Sequence, residues 1–222
     1  MNRSNNDAVL LKVEDLTAPV LSEEDSNDAD NRTSRASPLW SNVSLSISPG
    51  DILVIQGPSG GGKSVLLKCL AHLLRYPSGR VYLHGKTPEQ ISIPVYRSKV
   101  LYLAQRPALL PGTPREFFQE VSNFGSRKGR KHELGDPIRI ARAWNIQQDK
   151  WDQTWGQLSG GEGQRIALAI GLALKPEVLL LDGTVKLVVF ALANIAVLQS
   201  RLPPSIPTRL AWSNRPLRGR AK

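Results

Sequence analysis

Gly57, Pro58, Ser59, Gly60, Gly61, Gly62, Lys63 and Ser64 fit the pattern G-x-x-x-x-G-K-[ST]. Glycines let the backbone take positive φ and bring successive N–H groups close to an anion with no Cβ in the way. A helix starting near Lys63 adds unsatisfied N–H groups and the positive end of its dipole. Lys63 would reach the β- and γ-phosphates, and Ser64 would offer its hydroxyl to Mg²⁺. This loop suits a nucleoside triphosphate. A second polar, glycine-rich helix start, Leu158-Ser159-Gly160-Gly161-Glu162-Gly163-Gln164-Arg165, combines a serine hydroxyl with glycine N–H groups and forms a second anion site.

The elements that must position these residues are legible around them. The apolar run Ile52-Leu53-Val54-Ile55 predicts a strand ahead of the phosphate loop, and Val65 to Ala71 predicts the helix after it. Ala8 to Leu16 reads as a first strand, and Asn42 to Ile47 as a half-buried strand turning at Pro49-Gly50. Tyr76-Pro77-Ser78-Gly79 breaks the chain before a short strand at Val81-Tyr82-Leu83. A strand over Lys99 to Ala104 delivers Gln105 to its carboxyl end, where ligand-binding residues of open α/β sheets gather. Thr113-Pro114-Arg115-Glu116 is a capping box opening a helix to about Asn123, and Asp136-Pro137 opens another through Trp144. The second glycine-rich start feeds a helical run from Ile166 to Leu174, stopped at Lys175-Pro176.

At 222 residues the chain suits one domain, or one domain with an appended subdomain. The formal net charge of +10 raises nucleic acid or a membrane surface as partners. Six of the basic residues, Arg201, Arg209, Arg215, Arg218, Arg220 and Lys222, lie in the last stretch, which has no acidic residue. The basic loop from Gly125 to Lys131 has no interleaved aromatics for base stacking, so nucleic acid is the weaker expectation. Cys69 is the only cysteine, which predicts a reducing compartment and a buried structural thiol. Met1 to Asp7 lacks the apolar stretch of a secretory signal, and the longest apolar run, Leu187 to Leu198, falls short of a membrane span. Leu21 to Ser37 is too polar to order itself and predicts a mobile loop.

The helix-rich segment between the two anion-seeking loops poses a geometric problem for a single chain. Two copies arranged head to tail would let each serine-glycine loop cover the other's nucleotide. With these residues in place, the chain resembles the nucleotide-binding domain of ATP-binding cassette (ABC) proteins over about residues 8 to 182. Gly57 to Ser64 matches Walker A, Gln105 the Q-loop glutamine, Leu158 to Arg165 the signature, and Val178-Leu179-Leu180-Leu181-Asp182 Walker B. Gln105 to Thr113 also resembles the stretch after the Q-loop in transporter-type members.

The resemblance implies an α/β P-loop NTPase: a RecA-like core with an N-terminal antiparallel β portion and an inserted helical subdomain over about residues 114–172. It implies that the chain binds ATP and Mg²⁺, with Ser64, Gln105 and Asp182 at the metal and Lys63, Gln105 and Asp182 in catalysis. Ser159, Gly160 and Gly161 would contact the γ-phosphate held by a partner, either a second copy or another ABC domain. A separate transmembrane subunit would hold the chain at the cytoplasmic face of a membrane.

The departures are local. The family follows the Walker B aspartate with a glutamate that polarises water, whereas Asp182 is followed by Gly183. No switch histidine follows either: His72, His84 and His132 all precede Asp182. A hydrolysis-impaired regulatory or decoy subunit therefore stands beside a working transporter ATPase, and a soluble ABC protein acting on nucleic acid stands third. The adenine-stacking aromatic is not evident near Val20, with Trp40 as a substitute. Residues 183–222 form a divergent, basic, proline-rich tail, expected to come from a shifted frame, retained intron or alternative exon, with a diverged terminus as the alternative.

Overall fold

The computed structural model describes residues 9–19, 38–105, 111–125 and 134–183. The polar segment 21–37, Val20, the basic residues 126–131 and the tail from residue 184 lie outside the described residues. Two compact units are formed, one ending at Ile91 and the other beginning at Ser92.

The first unit is built on β1 (Leu11–Thr17), the central strand of an antiparallel sheet with β2 (Val43–Ile47) on one side and β3 (Ser78–Leu83) on the other. The N-terminal antiparallel portion expected from the sequence is therefore present. Leu11 lies opposite Ile47 and Leu83, and Val13 opposite Leu45 and Val81, so one apolar face is matched across all three strands. The register slips between Val13 and Leu16, where Asp15 takes φ +47°. Its N–H donates to Ser44 Oγ at 2.9 Å, and that hydroxyl donates to Asp15 Oδ1 at 3.1 Å. The bulge brings Leu16 back to the buried face. Gly79 sits against it at φ +97°, where a Cβ would lie 2.4 Å from Leu16 Cα, so only glycine fits.

Helix α1 (Lys63–Leu70) follows the phosphate loop and buries Leu66, Cys69 and Leu70. Burial pushes the Cys69 thiol up to about 11, which agrees with a structural role. Two expectations are corrected here. Ile52 to Ile55 joins no ladder among the described residues, and Leu53 is 38% exposed. An apolar β-branched run becomes a strand only when partners supply ladder hydrogen bonds, and among the described residues this one has no ladder partner. The strand foreseen at Val81 starts earlier, at Ser78, because pairing with β1 continues to Thr17. Helix α2 (Pro88–Ile91), too short to show periodicity, was not foreseen.

In the second unit, α3 (Ile93–Lys99), also unforeseen, runs straight into β4 (Val100–Leu103), and β5 (Val178–Leu181) pairs with β4 in parallel. Helices α4 (Pro114–Ser122), α5 (Pro137–Arg142) and α6 (Gly160–Ala173) lie between the strands in sequence, with 3₁₀ turns at Gln148–Trp151 and Trp155–Gln157. One core joins helices to strands: Trp144, Trp151, Trp155, Ile166 and Ala169 are buried, with Leu101, Leu103, Leu179 and Leu181 packed against them. Trp144, Trp151 and Trp155 are thus packing residues. Helix α6 approaches β4 so closely that a Cβ at Gly171 would lie 2.7 Å from Leu103 Cδ1.

The capping box of α4 forms as read, with Thr113 Oγ1 accepting from Glu116 N–H at 3.2 Å and Glu116 Oε2 accepting from Thr113 N–H at 2.8 Å. Arg115 then reaches Asp152 with both Nε and Nη2, tying α4 to the first 3₁₀ turn.

Candidate functional site

The phosphate loop has the backbone its glycines predict. Gly60 and Gly62 take φ +78° and +77°, and Gly61 N–H closes a turn onto Pro58 O at 3.2 Å. Gly62 caps α1 in the left-handed conformation. A Cβ placed at Gly57 or Gly60 would meet nothing within 4 Å, so this part of the loop presents bare backbone outward. Lys63 Nζ lies over the loop, donating to Gly57 O at 3.0 Å and Pro58 O at 2.7 Å. The ammonium is thereby held on the loop itself, beside backbone that a Cβ would not crowd at Gly57 and Gly60. Ser64, in the first turn of α1, is exposed.

Trp40, considered from the sequence as a platform for adenine, lies at the phosphate end. Its indole N–H donates to Gly62 O at 3.1 Å, while Ala18 N–H donates to Trp40 O at 2.9 Å.

In the second unit, the parallel pair brings Gln105 and Asp182 to neighbouring strand ends. Leu103 lies opposite Leu181, and Asp182 N–H donates to Leu103 O at 2.9 Å. The next residue along, Gly183, faces Gln105: a Cβ there would be 3.5 to 3.7 Å from Gln105 Cγ, Cα and Cβ. A side chain at 183 would therefore be directed at the glutamine, although φ +155° disfavours one. Tyr102 Oη donates to Asp182 Oδ2 at 2.7 Å. Burial, with the adjoining carboxylate second, raises the phenol well above its ordinary value, so it stays a donor.

The serine-glycine start is a real helix N-terminus. Ser159 Oγ accepts from Glu162 N–H at 3.3 Å and Glu162 Oε2 accepts from Ser159 N–H at 2.8 Å. That capping box uses the amides of Ser159 and Glu162, and the first intrahelical bond, Gly163 N–H to Ser159 O, lies beyond Gly160 and Gly161. The hydrogen bonds from Ser159, with Lys150 alongside at 3.3 Å, hold the Glu162 carboxyl down at about 2. Further along the same helix, Gln164 Nε2 donates to Gln105 O at 2.7 Å. Helix α6 is thus tied to Gln105 within one chain.

Gly57 to Ser64 therefore lie in the first unit, and Gln105, Ser159 to Gly161, Asp182 and Gly183 in the second. Sequence reasoning passed over Tyr102 and Gln164. Neither belongs to a spacing pattern with its partner, and only strand register and helix packing bring them there. Of the stretch after Gln105, residues 106–110 lie outside the described residues.

The donor types suit the group they are read for. Backbone N–H and an ammonium fit phosphate, and a hydroxyl, an amide oxygen and a carboxylate fit a hard cation such as Mg²⁺. Among the described residues no helix is long and apolar enough to cross a membrane.

Comparison with known proteins gives one consistent answer. The chain is 39% identical over 144 residues to the molybdate/tungstate import ATP-binding protein WtpC of Methanocaldococcus jannaschii, covering 64% of this chain and 46% of that protein. It is 32% identical over 151 residues to the phosphate import ATP-binding protein PstB of Colwellia psychrerythraea, covering 64% and 54%. The chain spans about half the length of these curated relatives. Among solved structures, cbiO1 from Clostridium perfringens, part of the ABC transporter complex cbiONQ, matches with TM-score 0.61 at 21% identity, covering 88% of this chain and 75% of that one. At that identity the likeness establishes the P-loop NTPase fold. The ABC transporter family model matches residues 40–186, a span that holds the phosphate loop, Gln105, the serine-capped α6 and Asp182 alike, and so the chain belongs to the ABC transporter family.

Proposed function

We propose that the chain is the ATP-binding subunit of an ABC-type importer, binding Mg-ATP and driving a separate transmembrane subunit through ATP-dependent dimerisation. The observation that carries this is the phosphate loop: positive-φ Gly60 and Gly62, bare backbone at Gly57, and Lys63 already folded over the loop at the start of α1. The matched relatives that are import ATP-binding proteins support the transport role. Lys63 would neutralise the β- and γ-phosphates, while Ser64, Gln105 and Asp182 would supply oxygen ligands to Mg²⁺. Mg²⁺ would offset charge on the phosphates. Ser159, Gly160 and Gly161 would close on the nucleotide of a partner, a second copy or another ABC domain. The subunit would then work at the cytoplasmic face, through its membrane partner.

The test is nucleotide affinity, turnover and oligomeric state of the full chain with and without ATP and Mg²⁺. Micromolar ATP binding with a shift to dimer is expected, and Lys63→Ala should weaken the binding by at least about tenfold and prevent the dimer. Absence of ATP binding by the unsubstituted chain would sink the reading.

A second reading is favoured by Gly183. No carboxylate follows Asp182, and losing a general base lowers rates by about 10²–10⁴. A hydrolysis-impaired regulatory subunit would bind and dimerise without turnover. Gly183→Glu, whose side chain would be directed at Gln105, is expected to raise turnover if this is the missing group. No gain would favour an ATPase that operates without a base at 183, provided the unsubstituted chain turns ATP over.

A further inference from the structure

Trp40 is anchored at both ends of its reach. Its carbonyl accepts from the N–H of fully buried Ala18, one residue past β1, and its indole N–H donates to Gly62 O at 3.1 Å. Gly62 O is therefore gripped by two donors, since Leu66 N–H also donates to it at 2.9 Å as the first hydrogen bond of α1. In a planar trans peptide the C=O of residue 62 and the N–H of residue 63 point in opposite directions. Fixing the carbonyl onto the indole and the helix therefore aims the Lys63 amide the other way, out of the helix N-terminus.

The ring also occupies the space that a side chain at 62 would need: a Cβ there would fall 2.7 Å from Trp40 Nε1 and 2.8 Å from Cδ1. Gly62 is thus required twice, by φ +77° and by the indole.

We propose that Trp40 is a positioning residue of the phosphate site, its indole N–H holding the Gly62–Lys63 peptide so that the Lys63 amide is preset toward a polyphosphate. Its ligand class is the phosphate chain and not the base. This rests on the reading of Gly57–Ser64 as a phosphate loop, and the test separates the two. Trp40→Phe keeps an aromatic face and removes the donor together with the pyrrole edge of the ring.

For the full chain, affinities for ATP and for inorganic tripolyphosphate, which has no base to stack, are compared with those of the variant. Hydrogen exchange of the loop amides at 61–64 is measured without ligand, with the β1 amides as internal control. Both affinities should fall together by about fivefold, the loss of one hydrogen bond. Loop exchange should quicken while β1 is unchanged. Loss of ATP affinity with tripolyphosphate unaffected would overturn the proposal in favour of a base platform, and unchanged affinity and exchange would overturn it outright. If the unsubstituted chain binds neither ligand, the phosphate-loop reading falls and Trp40's role toward a polyphosphate falls with it. The exchange comparison then decides the tether alone: unchanged loop exchange overturns it, and quickened exchange leaves it standing as a hold on the loop.

Discussion

At the scale of single residues, the candidate site is made of side chains already held by protein groups. Lys63 rests on Gly57 O and Pro58 O, and replacing it with alanine would remove the charge-assisted hydrogen bonds it would make to phosphate instead, worth about 1.5–3 kcal/mol. ATP affinity should fall by at least about tenfold, measured by titration calorimetry. Tyr102 donates to Asp182 from the neighbouring strand, part-buried. Tyr102→Phe should lower stability by about 1 kcal/mol, read as a shift in urea midpoint with an unchanged slope. The lysine was evident from its spacing to the glycines, whereas the tyrosine was not, because a separation of 80 positions from Asp182 carries no periodic signal.

At the scale of elements, the helix starts were legible, whereas the strand expected at Ile52 to Ile55 forms no ladder among the described residues. A capping box is a relation between residues three apart, so Thr113–Glu116 and Ser159–Glu162 form wherever a helix follows. Ser159→Ala should cost about 1 kcal/mol of stability, seen in thermal or urea melts. Glu162 adds a pH signature. Its folded carboxyl is depressed to about 2 from an ordinary 4.5, so its stabilisation is complete above pH 4.5 and is lost as pH falls toward 2. The group is solvent-screened, so the effect is small. Glu162→Gln should flatten the decline in urea midpoint between pH 5 and 2, and an unchanged profile would show that the cap is not titrating there. By contrast, Ile52 to Ile55 has strand composition and no ladder among the described residues, since strand formation depends on neighbours the segment does not encode.

At the scale of the whole molecule, the chain carries one antiparallel unit with the phosphate loop and one mixed unit with the serine-glycine helix and both strand ends. Each would serve a shared site if two copies met head to tail. Light scattering should then show ATP-dependent dimer that Lys63→Ala prevents, and Ser159→Ala should weaken dimer while leaving monomer affinity for ATP within about twofold. Equal loss of both on Ser159→Ala would count against the head-to-tail arrangement.

The sequence by itself determined the phosphate loop, the helix starts and the family, because each rests on residues within a few positions of one another, where φ preference and i to i+3 hydrogen bonds decide the outcome. Tertiary structure alone decided which distant groups meet. Trp40 reaches Gly62 across 22 residues, Gln164 reaches Gln105 across 59, and Tyr102 reaches Asp182 across 80. Those meetings depend on strand register and on how closely α6 packs on β4, quantities set by the packing of the core and by no local pattern of residues.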